Sequence, residues 1–406
     1  MNWRQMLSQV KAGMGIIHGN KIFGGPFQAH ISLTNRCNIR CIHCFFYSPY
    51  LENTNLLLLR RPRQMNFELP GNESLRGLQE LQKLDADDGR TSILIDELLK
   101  MGARNFVFTG SGEPFLHKNA IEFMARVKHA GCTSIVNTNG TLLNRTMMDE
   151  LIKMGFNELR INTLAGNREM YVRTHPGVAE TTFDNLRSNL LYLAEKKTSL
   201  DAKYPKVTLV CIVVSHNYNG LIDFAEFASL IKAERVHYRP VYDIGDRGLS
   251  KVVPTRNQAA SVREQLVEVK AYLESKKISH NINHFLKVFK EQLDTTALYS
   301  IIPCYYGWHS VRIDVDGLVY PCCRCYEPLG NIFKSDFGEI WNGNVYRRFR
   351  KEAFEINKRR SPVRGCDCNS CPHFIANLRV YRMLHPVKGR SAKLKKLCPA
   401  FSEENE

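Results

Sequence analysis

The chain has 406 residues, enough for one large and one small domain, with an apolar fraction of 44% and a charged fraction of 24% that are ordinary for a globular protein. Its longest apolar runs, such as 207–214, are far too short to span a bilayer, and no apolar signal-peptide segment is evident at the start, so we expect a cytoplasmic protein. Thirteen cysteines in a reducing compartment indicate metal binding rather than disulfides.

The net charge of +16 is concentrated near the C-terminus. Residues 345–396 hold fifteen Lys and Arg against three Asp and Glu. Such a basic face can attract nucleic acid, anionic lipid, a phosphorylated substrate or an acidic redox partner. A solvated basic surface with no single partner is the alternative.

The first predicted element is an amphipathic helix over residues 3–17, which either caps the main domain or lies on a membrane surface. A strand over 29–34 follows. The long irregular stretch at about 48–90 is then expected to be an insertion over the site.

Regular alternation of helices and strands begins at residue 92. The further predicted strands are 105–109, 134–137, 158–162, 207–214 and 236–241, and the predicted helices between them are 92–101, one ending near 130, 145–154, 183–197 and 221–231. This alternation predicts parallel strands with helical crossovers, whose reactive groups lie at the C-terminal ends of the strands. Two more helices, 257–277 and 282–293, lead to a second domain.

Three cysteines, Cys37, Cys41 and Cys44, lie within eight residues directly after the first predicted strand. Three thiolates on one tight loop can hold three corners of a cubic four-iron cluster, which leaves the fourth iron open to an outside ligand. A structural zinc site normally closes with four protein ligands. Unrelated core cysteines, or a zinc loop with a distant fourth ligand, are the alternatives.

This spacing, Cys-x3-Cys-x2-Cys after a first strand, resembles that of the radical S-adenosylmethionine (radical SAM) superfamily. The resemblance implies an open (β/α)6 barrel and a 4Fe-4S cluster whose open iron chelates the methionine part of SAM. It also implies that an electron from the cluster cleaves SAM to a 5′-deoxyadenosyl radical, which takes a hydrogen from the substrate. A low-potential electron donor of the flavodoxin or ferredoxin type is implied as a partner.

The turn 110–114 resembles the Gly-Gly-Glu-Pro motif of this family, with Ser111 in place of the first glycine. The resemblance implies that Glu113 accepts hydrogen bonds from the ammonium of SAM. The residues that the resemblance assigns to SAM binding are His43 near the adenine, Gly112, Glu113 and Pro114 in the turn, Asn139 and Asn162 near the ribose, and Arg173 near the carboxylate. A turn asparagine or a surface arginine is the alternative for Asn139, Asn162 and Arg173.

Cys304 and Cys322 bracket a predicted hairpin in the pattern Cys-x12-Gly-x4-Cys. Together with Cys366, Cys368 and Cys371, this order resembles the SPASM/twitch region of radical SAM enzymes with auxiliary clusters. The resemblance implies one auxiliary 4Fe-4S cluster held by Cys304, Cys322, Cys368 and Cys371. Cys323, Cys325, Cys366 and Cys398 are left over and are enough for a second cluster; zinc in place of iron is the alternative, and a spare cysteine could instead donate a hydrogen atom to a substrate radical.

The sequence therefore predicts an α/β protein made of four segments. These are an amphipathic extension (1–27), a partial (β/α)6 barrel (28–250), a helical bridge (251–299) and a small cysteine-rich SPASM/twitch domain with a basic tail (300–406).

The predicted activity is hydrogen abstraction followed by oxidation or bond formation on a peptide, sugar, lipid or other small molecule, with the auxiliary cluster accepting an electron. Redox-neutral epimerisation or rearrangement is one alternative, and a basic nucleic-acid-binding protein with structural metal sites is another. The basic region and the amphipathic helix make a phosphorylated or lipid-linked substrate and a peripheral membrane contact hypotheses to test. His237, Tyr238, Arg239 and Tyr242, at or just after the end of the last barrel strand, are candidates for binding the substrate or moving a proton.

Overall fold

The computed structural model describes residues 3–19, 22–51, 78–241, 248–291, 295–359, 361–369, 371–386 and 394. Most of the predicted insertion, together with Tyr242 and Cys398, lies outside these residues. In the described part of the chain, no helix combines the length and the apolar character needed to cross a membrane.

The described residues form ten strands and a larger set of helices. The strands are β1 (Gln28–Ser32), β2 (Asn105–Thr109), β3 (Thr133–Thr138), β4 (Glu158–Asn162), β5 (Lys206–Val213), β6 (Arg235–Pro240), β7 (Ser279–His280), β8 (Ser310–Ile313), β9 (Leu318–Tyr320) and β10 (Gly330–Asn331). The α-helices are Trp3–Ile17, Leu78–Gln82, Asp88–Met101, Ala120–His129, Arg145–Lys153, Arg168–Thr174, Thr181–Ser199, Leu221–Leu230, Arg256–Ser275, Ile282–Glu291, Thr296–Tyr299, Tyr306–His309, Phe337–Asn342, Asn344–Phe354, Ile356–Arg359 and Phe374–Leu384.

All ten strands form one sheet in the order β10-β9-β8-β1-β2-β3-β4-β5-β6-β7. Strands β1 to β6 are parallel and follow one another in sequence order, as the predicted crossovers require. Their ends lie within two residues of the predicted ones. The prediction of an α/β fold with six parallel barrel strands is confirmed.

Local sequence accounts for the crossover helices. The helix Asp88–Met101 begins at Asp87, whose carboxylate accepts the Arg90 N–H, and ends at Gly102, which adopts a left-handed φ of 101°. Its face with Leu94 and Leu98 is buried against the sheet. Crossover helices of this kind cover one side of the parallel strands, which we call the outer face; the opposite side is the inner face.

The C-terminal hairpin joins the barrel at its first strand. β8 runs parallel to β1, with His30 opposite Arg312, and β9 returns antiparallel beside β8. The sequence did not predict this pairing, nor the helices that follow residue 330. The barrel and the cysteine-rich region therefore share one continuous sheet.

Candidate active site

The loop that carries Cys37, Cys41 and Cys44 leaves the C-terminal end of β1. Within it, the Cys44 N–H donates to the Cys41 carbonyl at 3.0 Å, which forms a tight turn. The buried Ile42 fixes this turn from the other side, because its N–H donates to the Thr174 carbonyl at 3.1 Å. The cysteine loop is thus fastened both to itself and to a barrel helix.

The three thiols of this loop share a water-poor environment. Burial raises the pKa of Cys37 to about 11 and also raises the pKa values of Cys41 and Cys44. The charges of Cys44 and Cys37 raise the pKa of Cys41 further, so the three sulfurs lie in one another's field. Buried thiols become ligands when a metal replaces their protons. The loop therefore fits the three protein ligands of an open four-iron cluster.

Gly112 lets the turn after β2 lie directly against the cysteine loop. A Cβ at this position would stand 2.2 Å from the Arg36 carbonyl oxygen and 2.7 Å from that of Thr34, both in the backbone that leads to Cys37. The next N–H, that of Glu113, donates to the same Arg36 carbonyl at 2.8 Å. Close approach of two backbones explains the glycine here.

Substitution Gly112→Ala is expected to lower the free energy of unfolding by about 2–4 kcal/mol, because rigid backbone would have to move and the Glu113 hydrogen bond would break. Chemical denaturation of the protein without its clusters measures the change. Gly338→Ala is the control, since the nearest atom to its new Cβ is 3.8 Å away. Equal stability of the two variants would contradict this account of the turn.

Glu113 is 2% exposed and holds the ends of β2 and β3 together. Its Oε1 accepts from the Thr138 hydroxyl at 2.7 Å and from the Phe115 N–H at 3.2 Å, and its Oε2 accepts from the Asn139 N–H at 2.7 Å. Burial raises the pKa of Glu113 to about 7, against the opposing effect of these three donors. A carboxylate has about four acceptor positions, so Glu113 can accept one more donor, such as an ammonium.

Asn139 ties the cysteine loop to the end of β3. Its Nδ2 donates to Asn38 Oδ1 at 2.9 Å, and its Oδ1 accepts from the Thr141 N–H at 2.9 Å. Asn162 makes a longer contact to the Thr138 carbonyl, at 3.5 Å. Pro114 is buried at the start of a short 3₁₀ turn. The structure therefore places Glu113, Asn139 and Asn162 at one edge of the sheet, beside the cysteine loop.

Arg173 is not part of this constellation. It lies on the helix Arg168–Thr174, with a side chain that is 42% exposed, and it pairs with Glu169 one turn earlier at 2.6 Å. The structure gives it a surface ion pair, the alternative that the sequence left open.

His43 is accompanied by two residues that the sequence did not predict, Tyr171 and His175. Their rings stack at 4.2 Å, and both side chains are fully buried. Burial, and secondarily His175, lower the pKa of His43 to about 3, so its ring is neutral. The spacing of Tyr171 and His175, four residues apart in a helical segment, was the one signal in the sequence that they share a face.

Three polar atoms of this group are buried without a hydrogen-bond partner among the described residues: His43 Nδ1, the Tyr171 hydroxyl and His175 Nε2. The pKa of Tyr171 is raised by burial and then by Cys41 and Cys37, which places its hydroxyl in the field of the cysteine loop. Buried polar groups nearly always have partners. These atoms fit a polar ligand bound between them and the thiols.

A second set of thiols lies around the hairpin. Burial raises the pKa of Cys304, and the charges of Cys371 and Cys368 raise it further. Burial likewise raises the pKa of Cys322, and the charges of Cys323, Cys371 and Cys304 raise it further. Cys304, Cys322, Cys368 and Cys371 therefore lie in one neighbourhood, and Cys323 lies there with them. In the described residues, no three His, Cys, Asp or Glu side chains are spaced to hold a single metal ion.

Cys325 and Cys366 depart from the expectation of reduced thiols, because the structure joins them in a disulfide. An isolated β-bridge brings their Cα atoms to 4.0 Å, which the sequence could not predict across 41 residues. Cys323 is exposed and its Sγ lies 3.2 Å from His373 Nε2.

Hydrogen bonds to sulfur surround the second thiol set. The Tyr299 hydroxyl donates to Cys371 Sγ at 3.0 Å and accepts from Asn377 Nδ2 at 2.8 Å. The same Nδ2 lies 3.9 Å from Cys304 Sγ. Hydrogen bonds to ligand sulfurs stabilise the more negative, reduced state of an iron–sulfur cluster.

We expect Tyr299→Phe to lower the reduction potential of a cluster bound here by about 50 mV, the equivalent of one lost hydrogen bond in a one-electron couple. A potentiometric titration followed by electron paramagnetic resonance measures the shift. Tyr346→Phe is the matched control, because that buried hydroxyl has no partner among the described residues. An unchanged potential in Tyr299→Phe would show that this hydroxyl does not act on the cluster.

The substrate candidates on β6 divide between the two faces of the sheet. Tyr238 belongs to the outer face: it is buried against Phe224 and Phe285, and its hydroxyl donates to the Leu221 carbonyl at 3.3 Å. The structure therefore removes it from the candidates. His237 and Arg239 alternate with it and lie on the inner face.

Comparison with known proteins decides the family. The model of the radical SAM superfamily matches residues 31–228, and the model of the SPASM iron–sulfur cluster-binding domain matches residues 304–372. The chain belongs to the radical SAM superfamily. It is a radical SAM protein with a C-terminal SPASM domain.

Several curated proteins resemble this radical SAM chain. It is 28% identical to the Fe-coproporphyrin III synthase of Methanosarcina barkeri, in a match that covers 34% of this chain and only 27% of that protein. It is 25% identical to the subtilosin biosynthesis protein AlbA of Bacillus subtilis, over 87% of this chain and 68% of that protein. It is 23% identical to the PqqA peptide cyclase of Granulibacter bethesdensis, over 84% of this chain and 80% of that protein.

A solved structure has the same fold. SuiB of Streptococcus suis, bound to its precursor peptide SuiA, has a TM-score of 0.58 and 14% identity, and the alignment covers 91% of this chain and 78% of SuiB. The radical SAM domain binds a 4Fe-4S cluster and SAM, and the SPASM domain binds an iron–sulfur cluster. Among the described residues, the 4Fe-4S cluster with SAM fits beside the cysteine loop and Glu113. The three buried polar atoms that lack hydrogen-bond partners fit the same ligand.

Proposed function

We propose that this radical SAM enzyme removes a hydrogen atom from an unactivated carbon of a peptide and leaves the product oxidised or with a new bond. The bound cluster and SAM supply the 5′-deoxyadenosyl radical that takes the hydrogen. The role of the chain is to bind and orient both partners and to exclude water.

The observation that carries this proposal is the placement of the two thiol sets on one sheet. The Cys37 loop leaves the C-terminal end of β1. Because β9 runs antiparallel to β8, its end at Tyr320 lies beside Arg312, and Arg312 lies beside His30 in the middle of β1. Cys322 follows two residues later, toward the opposite end of β1. A substrate on the inner face would thus lie between a radical source and an electron acceptor.

The relatives favour a peptide over the other substrate classes. Subtilosin biosynthesis and peptide cyclisation are in the names of two of them, and the SuiB structure contains a precursor peptide. A low-potential flavodoxin or ferredoxin is the electron donor that we propose. Membership of the superfamily argues against the alternative of a nucleic-acid-binding protein whose metal sites are structural.

Anaerobic reconstitution followed by an assay for 5′-deoxyadenosine tests the proposal. We expect about eight irons per chain and 5′-deoxyadenosine from SAM plus reductant. About twelve irons would require reduction of the Cys325–Cys366 disulfide, so that these two thiols can join a second auxiliary cluster. Zinc in place of iron together with no 5′-deoxyadenosine would refute it. With a substrate in hand, deuterium from solvent in a product of unchanged oxidation level would identify the redox-neutral alternative instead.

A further inference from the structure

Charged and imidazole side chains gather on the inner face of the sheet. They are His30 on β1, Arg160 on β4, His237 and Arg239 on β6, and Arg312 on β8. The residue before each of them in its strand is buried in the core of the outer face, so strand alternation points these five side chains inward. We call this group the inner basic patch.

The members of the inner basic patch lie close to one another. His30 and Arg312 are direct partners in the pairing of β1 with β8. Burial is the largest cause that lowers the pKa of His30 and of His237 to about 3, and Arg160 lowers both further. Arg160 therefore stands within the electrostatic reach of both imidazoles, which are neutral. The patch extends from the β8 side of the sheet to β6.

Carboxylates hold two of these arginines in place without using all of their donors. Arg160 pairs side-on with Glu158, through Nε at 3.1 Å and Nη2 at 2.9 Å. Its Nη1 makes no hydrogen bond to the described residues. Arg312 donates from Nη2 to Asp314 at 3.2 Å and from Nη1 to the Cys323 carbonyl at 3.3 Å, and it lies 4.1 Å above the ring of Tyr320. Arg160, held side-on by Glu158, can present its remaining edge to a planar anion.

One ring nitrogen of the patch has no hydrogen-bond partner among the described residues, and part of the patch is exposed to solvent. His30 Nε2 is buried with no hydrogen-bond partner among the described residues. Arg239 is exposed, while Arg160 and Arg312 keep 28% and 21% of their side-chain surface exposed, in contrast to the buried residues that alternate with them. Guanidinium groups that crowd one face lose favourable hydration, which an anionic ligand offsets. These features together describe a binding surface rather than a packed core.

We propose that the inner basic patch binds an anionic group of the substrate, a carboxylate or a phosphate, and that Arg160 makes the main contact with it. This rests on the proposed function, because it names the chemical class that the barrel accepts. The patch lies between the two thiol sets, so an anion bound there would anchor the substrate beside its reacting carbon. A side-chain or terminal carboxylate of a peptide has the required chemistry.

Nuclear magnetic resonance of small anions tests the proposal with the reconstituted, reduced holoenzyme. S-adenosylhomocysteine is added to fill the SAM site, and the probes are inorganic phosphate, through ³¹P, and carboxyl-labelled acetate, through ¹³C. The paramagnetic clusters should broaden the signal of a bound anion saturably. A saturable effect with acetate, phosphate or both identifies which anion the patch accepts.

Three variants make the result specific. Arg160→Gln should raise the dissociation constant about tenfold, the loss expected for a charge-assisted hydrogen bond, and Arg160→Lys should fall between it and the native protein. Arg168→Gln removes the same charge from a surface pair with Asp184 and should bind like the native protein. If the broadening is equal in all variants, or does not saturate, the anions are only attracted nonspecifically to a cationic protein. That result would overturn the proposal.

Iron content and 5′-deoxyadenosine, measured on the same preparations, separate the two claims. Native protein that makes no 5′-deoxyadenosine refutes the proposed function, whatever the anions do. Native protein that makes it, while Arg160→Gln binds both anions as tightly as native, refutes only the anion site. If Arg160→Gln does not reach the native iron content, Arg160→Lys and Arg239→Gln decide the question.

Discussion

Replacement of Cys41 by alanine is expected to remove about four irons per chain and to abolish 5′-deoxyadenosine formation. Cys41 is the middle thiol of the loop after β1, and the charges of both neighbouring cysteines act on it. The adjacent Ile42 N–H is hydrogen-bonded to the Thr174 carbonyl, which fixes the turn and the position of residue 41. The cluster therefore loses one of its three protein ligands.

The loss should be confined to the barrel. Since Cys304, Cys322, Cys368 and Cys371 lie around the hairpin, we expect the iron of the SPASM domain to remain in Cys41→Ala. Iron and sulfide determination and electron paramagnetic resonance of the reduced protein measure this. Cys211→Ala is the matched control, a fully buried thiol on the outer face of β5 that should keep all of its iron. Retention of SAM cleavage by Cys41→Ala would contradict the assignment of the loop.

The parts of this site that are local in sequence could be predicted. The bounds of β4 agree with the prediction because the signals for them, a two-residue alternation and flanking helices, lie within a short stretch of sequence. The cysteine loop and Glu113 are likewise short motifs at the ends of strands. The inward or outward direction of β6 side chains could also have been predicted, because Val236 and Tyr238 alternate with polar residues. This signal favours His237 and Arg239 over Tyr238.

Contacts between distant segments could not be predicted. The pairing of His30 with Arg312 joins residues 282 positions apart, and it attaches the hairpin to the barrel sheet. The position of Tyr171 beside the thiols depends on a short helix whose Thr174 carbonyl bonds to the cysteine loop. The bonded pair of Cys325 and Cys366 depends on a single β-bridge. In each case tertiary packing determines the contact, and neither segment alone encodes it.

Glu113→Gln is expected to weaken SAM binding about a hundredfold, the effect of losing a buried charge-assisted contact to an ammonium. The new amide would also place an NH₂ group, itself a donor, opposite one of the three donors that Glu113 accepts from. These donors are the Thr138 hydroxyl and the N–H groups of Phe115 and Asn139. Anaerobic titration with SAM, followed by the spectral change of the reduced cluster, measures the affinity. Glu234→Gln is the control, because Glu234 also accepts a backbone N–H, from Val207 at 2.7 Å, but at the start of β5.

The pH dependence of SAM binding gives a second test of Glu113. Burial raises its pKa to about 7, and only the ionised carboxylate attracts an ammonium. SAM affinity of the native protein should therefore be full above pH 7 and fall as the pH drops through 7, by up to about tenfold per pH unit well below the pKa. Glu113→Gln should show weak binding at every pH, without this decline. A decline that persists in Glu113→Gln would assign the titration to another group and contradict the role given to this carboxylate.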